Sequence, residues 1–245
     1  MRLFLHELRA QQLIFWRSRE SAFFVFLFPP LLFVLLASAF GEDAEDATYL
    51  VAGLIGYAVA NTALAGLAIM LVVRREFGIL KRLRSTPLPA GTYLAATLVS
   101  NLIVVALQSA AVVALGVFLF DADGPEDPAS LVLALVLGAA AFAGLGLAAA
   151  ALIRSAEAVA AVVNVIVLPM SFLNGSFGRA DDLPRPLELL ADVLPLEYLL
   201  ELAHGAYVNG EPVTEHLTAV AVLAAWGVGG YAVARARFGW EPRER

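Results

Sequence analysis

The side chains that could do chemistry in this chain of 245 residues are few and scattered. There is no cysteine, which removes disulfides, thiolate metal ligands and cysteine nucleophiles together. The three histidines, His6, His204 and His216, lie far apart and outside the long apolar runs, and no HExxH pair sets two imidazoles on one helix face. Gly175-Ser176-Phe177-Gly178 lacks the spacing of a nucleophile elbow, and Asp181-Asp182 read as a solvated loop pair. No glycine-rich loop with a following Lys is present to cradle nucleotide phosphates, so ATP is not held here by the usual route. The chain is therefore not expected to be an enzyme.

What remains is of two kinds. Inside the apolar runs are a few uncharged polar residues: Asn61, Thr62, Asn101, Gln108, Asn164 and Ser171. Their simplest role is hydrogen bonding between helices; the functional alternative puts Asn61, Asn101, Gln108, Asn164 and Ser171 along a substrate path. Between the second and third runs is a charged strip, Arg74-Arg75-Glu76-Phe77-Gly78-Ile79-Leu80-Lys81-Arg82-Leu83-Arg84-Ser85-Thr86-Pro87-Leu88. It reads as a short helix continuing from the second run and stopped at Thr86-Pro87, because the residue before proline disfavours the α region. Leu80 and Leu83, three apart, share a face and suit an apolar groove on a partner, with Lys81 and Arg82 at the rim. The competing reading is a basic strip resting on lipid headgroups.

The elements that position these residues are apolar runs of membrane-crossing length. Hydrophobic residues make up 60% of the chain, too many for a soluble domain of this size. Six spans are expected, at about 22–40, 48–73, 92–120, 130–153, 158–173 and 214–234, each near the ~20 residues a helix needs to cross the hydrocarbon. No Asp, Glu, Lys, Arg or His falls in the middle of any of them, which argues against ion coupling or a proton relay. Ala37-Ser38-Ala39 has the small-residue pattern of a signal-peptidase site, but the leader would be long and Pro29-Pro30 would interrupt it. Ala52, Gly56 and Ala60, and again Ala140, Gly144 and Ala148, recur at every fourth position and let helices approach closely.

Charge orients the whole. Fourteen of the sixteen basic residues lie in the strips 1–21, 74–91, 154–157 and 235–245, while sixteen of the 22 acids lie in the alternate strips. The positive-inside rule then puts 74–91 and both termini in the cytoplasm of a prokaryotic plasma membrane. Residues 1–21 form an interfacial arm, with Phe4, Leu5, Leu8, Phe15 and Trp16 on one arc and Arg2, His6, Arg9 and Arg17 on the other. Segment 174–213 carries two short apolar-faced helices, one through Leu187, Leu190 and Leu194 and one opening at Leu194-Pro195-Leu196-Glu197-Tyr198.

The order R-E-x-G-x-L, L-R-x-T-P-L, then a span beginning near Tyr93, resembles the inner loop of ABC transporter permeases of the type-2 exporter family, with Ile79 where Thr is frequent. The proline-leucine-tyrosine stretch before the last span is similar to that family's re-entrant segment, with His204 where Arg is frequent. The resemblance covers the whole chain and is nearest to half-size drug and antibiotic exporters. It implies an all-α, single-domain polytopic membrane protein with a re-entrant helical pair between spans five and six. It also implies two copies of a separate ATPase that carries ATP and Mg, a second permease copy or paralogue, and a small amphipathic substrate leaving the cytoplasm or inner leaflet. Glu76, Phe77, Gly78, Leu80, Lys81, Arg82 and Leu83 become the expected ATPase-coupling residues. No cofactor, metal or nucleic acid is expected on this chain. A polysaccharide or glycolipid permease of the same family, and an ion-coupled transporter or channel, are the alternatives.

Overall fold

The structure, a computed structural model, describes residues 2–40, 43–178 and 184–239, so Asp181-Asp182 lie outside it. The described residues are helical throughout and contain no strand. The order is α1 Arg2–Arg17, α2 Arg19–Phe40, α3 Ala44–Val59, a π-helical stretch Ala60–Gly66, α4 Leu67–Glu76, α5 Ile79–Arg84, α6 Ala90–Leu119, α7 Pro128–Leu152, α8 Ala156–Leu173, α9 Arg185–Ala191, α10 Pro195–His204 and α11 Leu217–Arg237. Among the described residues five helical stretches are long and apolar enough to cross a membrane: Ala44–Glu76, Ala90–Leu119, Pro128–Leu152, Ala156–Leu173 and Leu217–Arg237. The α2 helix adds a shorter apolar stretch, Val25–Ala39. This is an all-α polytopic membrane protein.

Local chemistry sets the helix starts. Asp127 caps α7, its Oδ1 accepting from Ala129 N and Ser130 N at 3.1 Å, and Pro128 takes the first helical position, where an N–H is not needed. Ser155 caps α8, its Oγ accepting from Ala158 N at 3.2 Å. The α2 helix runs straight through Pro29 and Pro30. Pro29 has no N–H to give to the carbonyl four residues back, so the Val25 oxygen loses its helical partner. The Gln108 side-chain amide, arriving from α6, donates to that same oxygen. The other end of the Gln108 amide accepts from Thr62 Oγ1 at 3.0 Å, within the π-helical stretch. One buried glutamine thus ties together three helices and repairs the proline break.

The spans pack through small residues. The α7 and α11 helices make the most extensive helix pair. A Cβ added to Gly144 would lie 2.5 Å from the Gly227 oxygen, and one on Gly230 would lie 2.5 Å from the Gly144 carbonyl carbon. Backbone therefore touches backbone at this crossing, as small-residue repeats permit. Gly144 and Ala148 are buried as their spacing suggests, but Ala140 is exposed; Ala141 takes its place, its Cα 2.9 Å from a Cβ built on Gly227.

The arm α1 packs along α6, where Gln12 Nε2 donates to Ser100 Oγ at 2.9 Å. Its apolar arc divides. Phe4, Leu8 and Phe15 are half-buried, whereas Leu5 and Trp16 stay exposed with Leu13 and Ile14.

The α10 helix lies inside the bundle against α3, α7 and α11. Leu196, Leu199, Leu200 and Leu202 are buried, with Leu199 seated on Gly138 and Leu200 on Gly56. Gly138 is about 15 Å along α7 from its start, at 1.5 Å per residue, so α10 reaches well into the bundle. The α9 helix does not: it is exposed apart from Ala191, and Leu187, Leu189 and Leu190 face outward.

Candidate functional site

The strip between α4 and α6 departs from the single continuous helix expected of it. The helix of the second span ends at Glu76, and Gly78 adopts φ +69°, a left-handed conformation that favours glycine. A separate short helix, α5, then runs Ile79–Arg84. It stops at Ser85 and Thr86, whose hydroxyls each donate at 2.7 Å to the carbonyls of Arg82 and Leu83. Thr86-Pro87 does mark the end, as the proline rule requires.

Three charged side chains fasten this strip to the bundle. Arg74 Nη1 donates to Tyr93 Oη at 2.7 Å, joining the end of α4 to the start of α6. Arg75 is only 1% exposed. Its Nη1 donates to the Ala150 carbonyl at 2.6 Å and its Nη2 to the Ile153 carbonyl at 2.5 Å. The Ala150 carbonyl lies in the last turn of α7, at the negative end of its dipole, and Ile153 is the extended residue that follows the helix. A buried guanidinium is costly unless paired, and this setting supplies both acceptors and potential. Glu76 Oε2 accepts from Ala156 N at 2.5 Å, at the positive end of α8. The sequence reading placed Arg75 in a solvated basic strip and missed its role. Its partners are backbone oxygens some 75 residues away, which residue types alone do not reveal.

The expected coupling residues therefore divide. Leu80 is fully buried in the core and is corrected from a partner contact to an internal anchor of α5. Leu83 is half-buried and packs on the core; with Arg84, Leu88, Ala90 and Tyr93 it lines a cavity of about 280 Å³. Gly78 is a turn, and Glu76 is exposed yet engaged with α8. Phe77, at 71% exposed, Ile79, Lys81 and Arg82 form the outward face.

Among the described residues no hydrogen bond joins any two of the five expected path residues. Gln108 is fully buried and spent on Thr62 and Val25, and Ser171 is fully buried with its Oγ donating to the Val167 carbonyl at 2.9 Å. Both serve the scaffold in this structure, buried and hydrogen-bonded within the bundle. Asn61 is half-buried on the π-helical stretch. Asn101 keeps a buried Nδ2 without a partner. Asn164 is exposed on α8 among Val162, Val165 and Ile166.

At the opposite end of the bundle the loop before α7 is sewn to the end of α10. Tyr207 Oη donates to the Asp123 carbonyl at 2.9 Å, and Thr48 Oγ1 accepts from Asp123 N at 3.0 Å. His216 bridges two carboxylates, Glu201 Oε1 at 2.8 Å and Glu211 Oε2 at 2.9 Å. Hydrogen bonding to Glu201 first, and to Glu211 as well, outweighs partial burial and raises the imidazole pKa. His204 stacks on Tyr49 with ring centres 4.2 Å apart, inside the bundle rather than on a charged face.

Apolar crossing helices, and a charged loop fastened to helix ends, define a polytopic helical membrane protein. The chain belongs to the ABC-2 type transporter family, whose characteristic sequence it matches over residues 2–208. No curated protein matched the chain. It is thus a permease component of an ABC-2 transporter, and membership implies an ATPase partner.

Proposed function

We propose that this permease exports a hydrophobic or amphipathic molecule, drug-like or lipid-like, from the cytoplasm or inner leaflet. Two permease halves pair, as a homodimer or with a paralogue, and two ATPase subunits hydrolyse ATP beneath them. The observation that supports this best is the exposed face of Phe77, Ile79, Lys81 and Arg82 on a loop otherwise fixed to the bundle: an apolar patch with a basic rim, suited to a protein groove. Asn164, a polar group on the otherwise apolar outer face of α8, is the residue best placed to line a gap between halves. The α10 helix, packed deep between spans, acts as the re-entrant element of the outer leaflet.

The reading requires the loop to face the cytoplasm, where ATP is. Single cysteines can be placed freely, since the chain has none. Cysteines replacing Asp43 and Asp123 react with an impermeant thiol reagent added to intact cells, and one replacing Ser85 reacts only after the membrane is opened. All three positions are exposed on the protein, so the barrier is the bilayer. Labelling at Ser85 from outside sinks the reading.

A further inference from the structure

We propose that Arg75 and Glu76 form a mechanical joint that carries movement of the docking loop into the turn between α7 and α8. The proposal rests on the reading of Phe77 to Arg84 as the ATPase contact. Two consecutive residues at the end of α4 reach two different helix ends. Arg75 holds the Ala150 and Ile153 carbonyls at the end of α7 at 2.6 and 2.5 Å, and Glu76 holds the first N–H of α8 at 2.5 Å. Residues 153–155 between them are thereby gripped from both sides, each grip matched to the helix dipole it meets. The next residue is Phe77, the more exposed of the loop's two outward apolar side chains, and Leu80 pins α5 to the core one turn later. Tyr93, bound by Arg74, adds the start of α6 to the same assembly. A push on Phe77 passes through these contacts to α4, α6, α7 and α8.

A grip of this kind differs from ordinary packing in what it requires. The Arg fork meets two carbonyl oxygens at once, which a single Lys ammonium does not reproduce. Glu76 acts only as an acceptor, so Gln retains the contact and Met abolishes it.

The test uses the permease–ATPase complex in lipid, with Val165→Cys as a reporter on α8, where Val165 is exposed. Its rate of modification by a small thiol reagent is compared without nucleotide and with ATP plus vanadate. With the native joint, trapping changes the rate. In Glu76→Gln the change persists. In Glu76→Met and in Arg75→Lys the ratio of the two rates moves toward one by about tenfold, as for loss of a hydrogen bond to a charged group, while ATP hydrolysis continues. A native-like ratio in either variant overturns the joint. So does Glu76→Met failing to assemble, because Glu76 is then a stabilising residue and not a transmitting one. Absence of any nucleotide-dependent change in the otherwise native complex tells against the docking reading itself.

Discussion

Phe77→Asp leaves the permease inserted and folded but strips the ATPase from the purified complex, with affinity falling about 30-fold. The side chain stands 71% exposed just past the end of α4, so the substitution removes no internal packing. Burying such a ring in a partner contributes about 2 kcal/mol, which is the ~30-fold quoted. Lys81 and Arg82 sit beside it as rim charges and tune encounter more than affinity, so neutralising them has the smaller effect at physiological salt. Leu80→Asp gives a different result, because Leu80 is wholly buried: the permease itself is lost. Co-purification of the ATPase, normalised to the amount of folded permease, separates the two. Were the strip a lipid-binding patch instead, neutralising Lys81, Arg82 and Arg84 together would matter and Phe77→Asp would not.

Two adjacent glycines give effects of opposite sign. Gly230→Ala destabilises by about 3 kcal/mol, because the new Cβ meets Gly144 and Leu145 backbone atoms at 2.5 to 2.7 Å, and neither helix can move without opening the α7–α11 crossing. Gly229→Ala meets nothing within 4 Å and gains helix propensity, so it is neutral or stabilising by up to about 1 kcal/mol. Thermal unfolding in detergent measures both, with wild type as reference. A Gly230→Ala chain as stable as wild type contradicts the close crossing.

These residues show what a sequence exposes and what it hides. The long runs were legible because apolar residues continue without a mid-span charge, as in the helix Ala90–Leu119. The two short helices after α8 were legible from the prolines at their starts, Pro184 and Pro195, but Leu194 lies between them and the leucines of α9 face outward. Gly78 was visible as a residue type, but the charged strip around it reads equally well as helix; its left-handed backbone is a property of the fold. Gln108 looks like any polar residue in a span. Only with α2 alongside does it become the partner of a carbonyl released by Pro29. Arg75 was hidden for the same reason, since its acceptors are helix-end oxygens that every sequence possesses. On α11, Gly227 and Gly230 carry the tightest crossing, yet their spacing is three rather than four and gave no signal of it.

The central claim is that this chain moves its substrate on energy released by a separate ATPase. The most direct measurement is uptake of an amphipathic fluorescent dye into sealed vesicles containing inverted permease, with and without the ATPase, under ATP or under an imposed pH gradient. The account predicts accumulation that needs both the ATPase and ATP and persists when the proton gradient is collapsed; no Asp, Glu, Lys, Arg or His lies at the middle of a crossing helix. Accumulation by the permease alone, driven by the pH gradient without ATP, would contradict it.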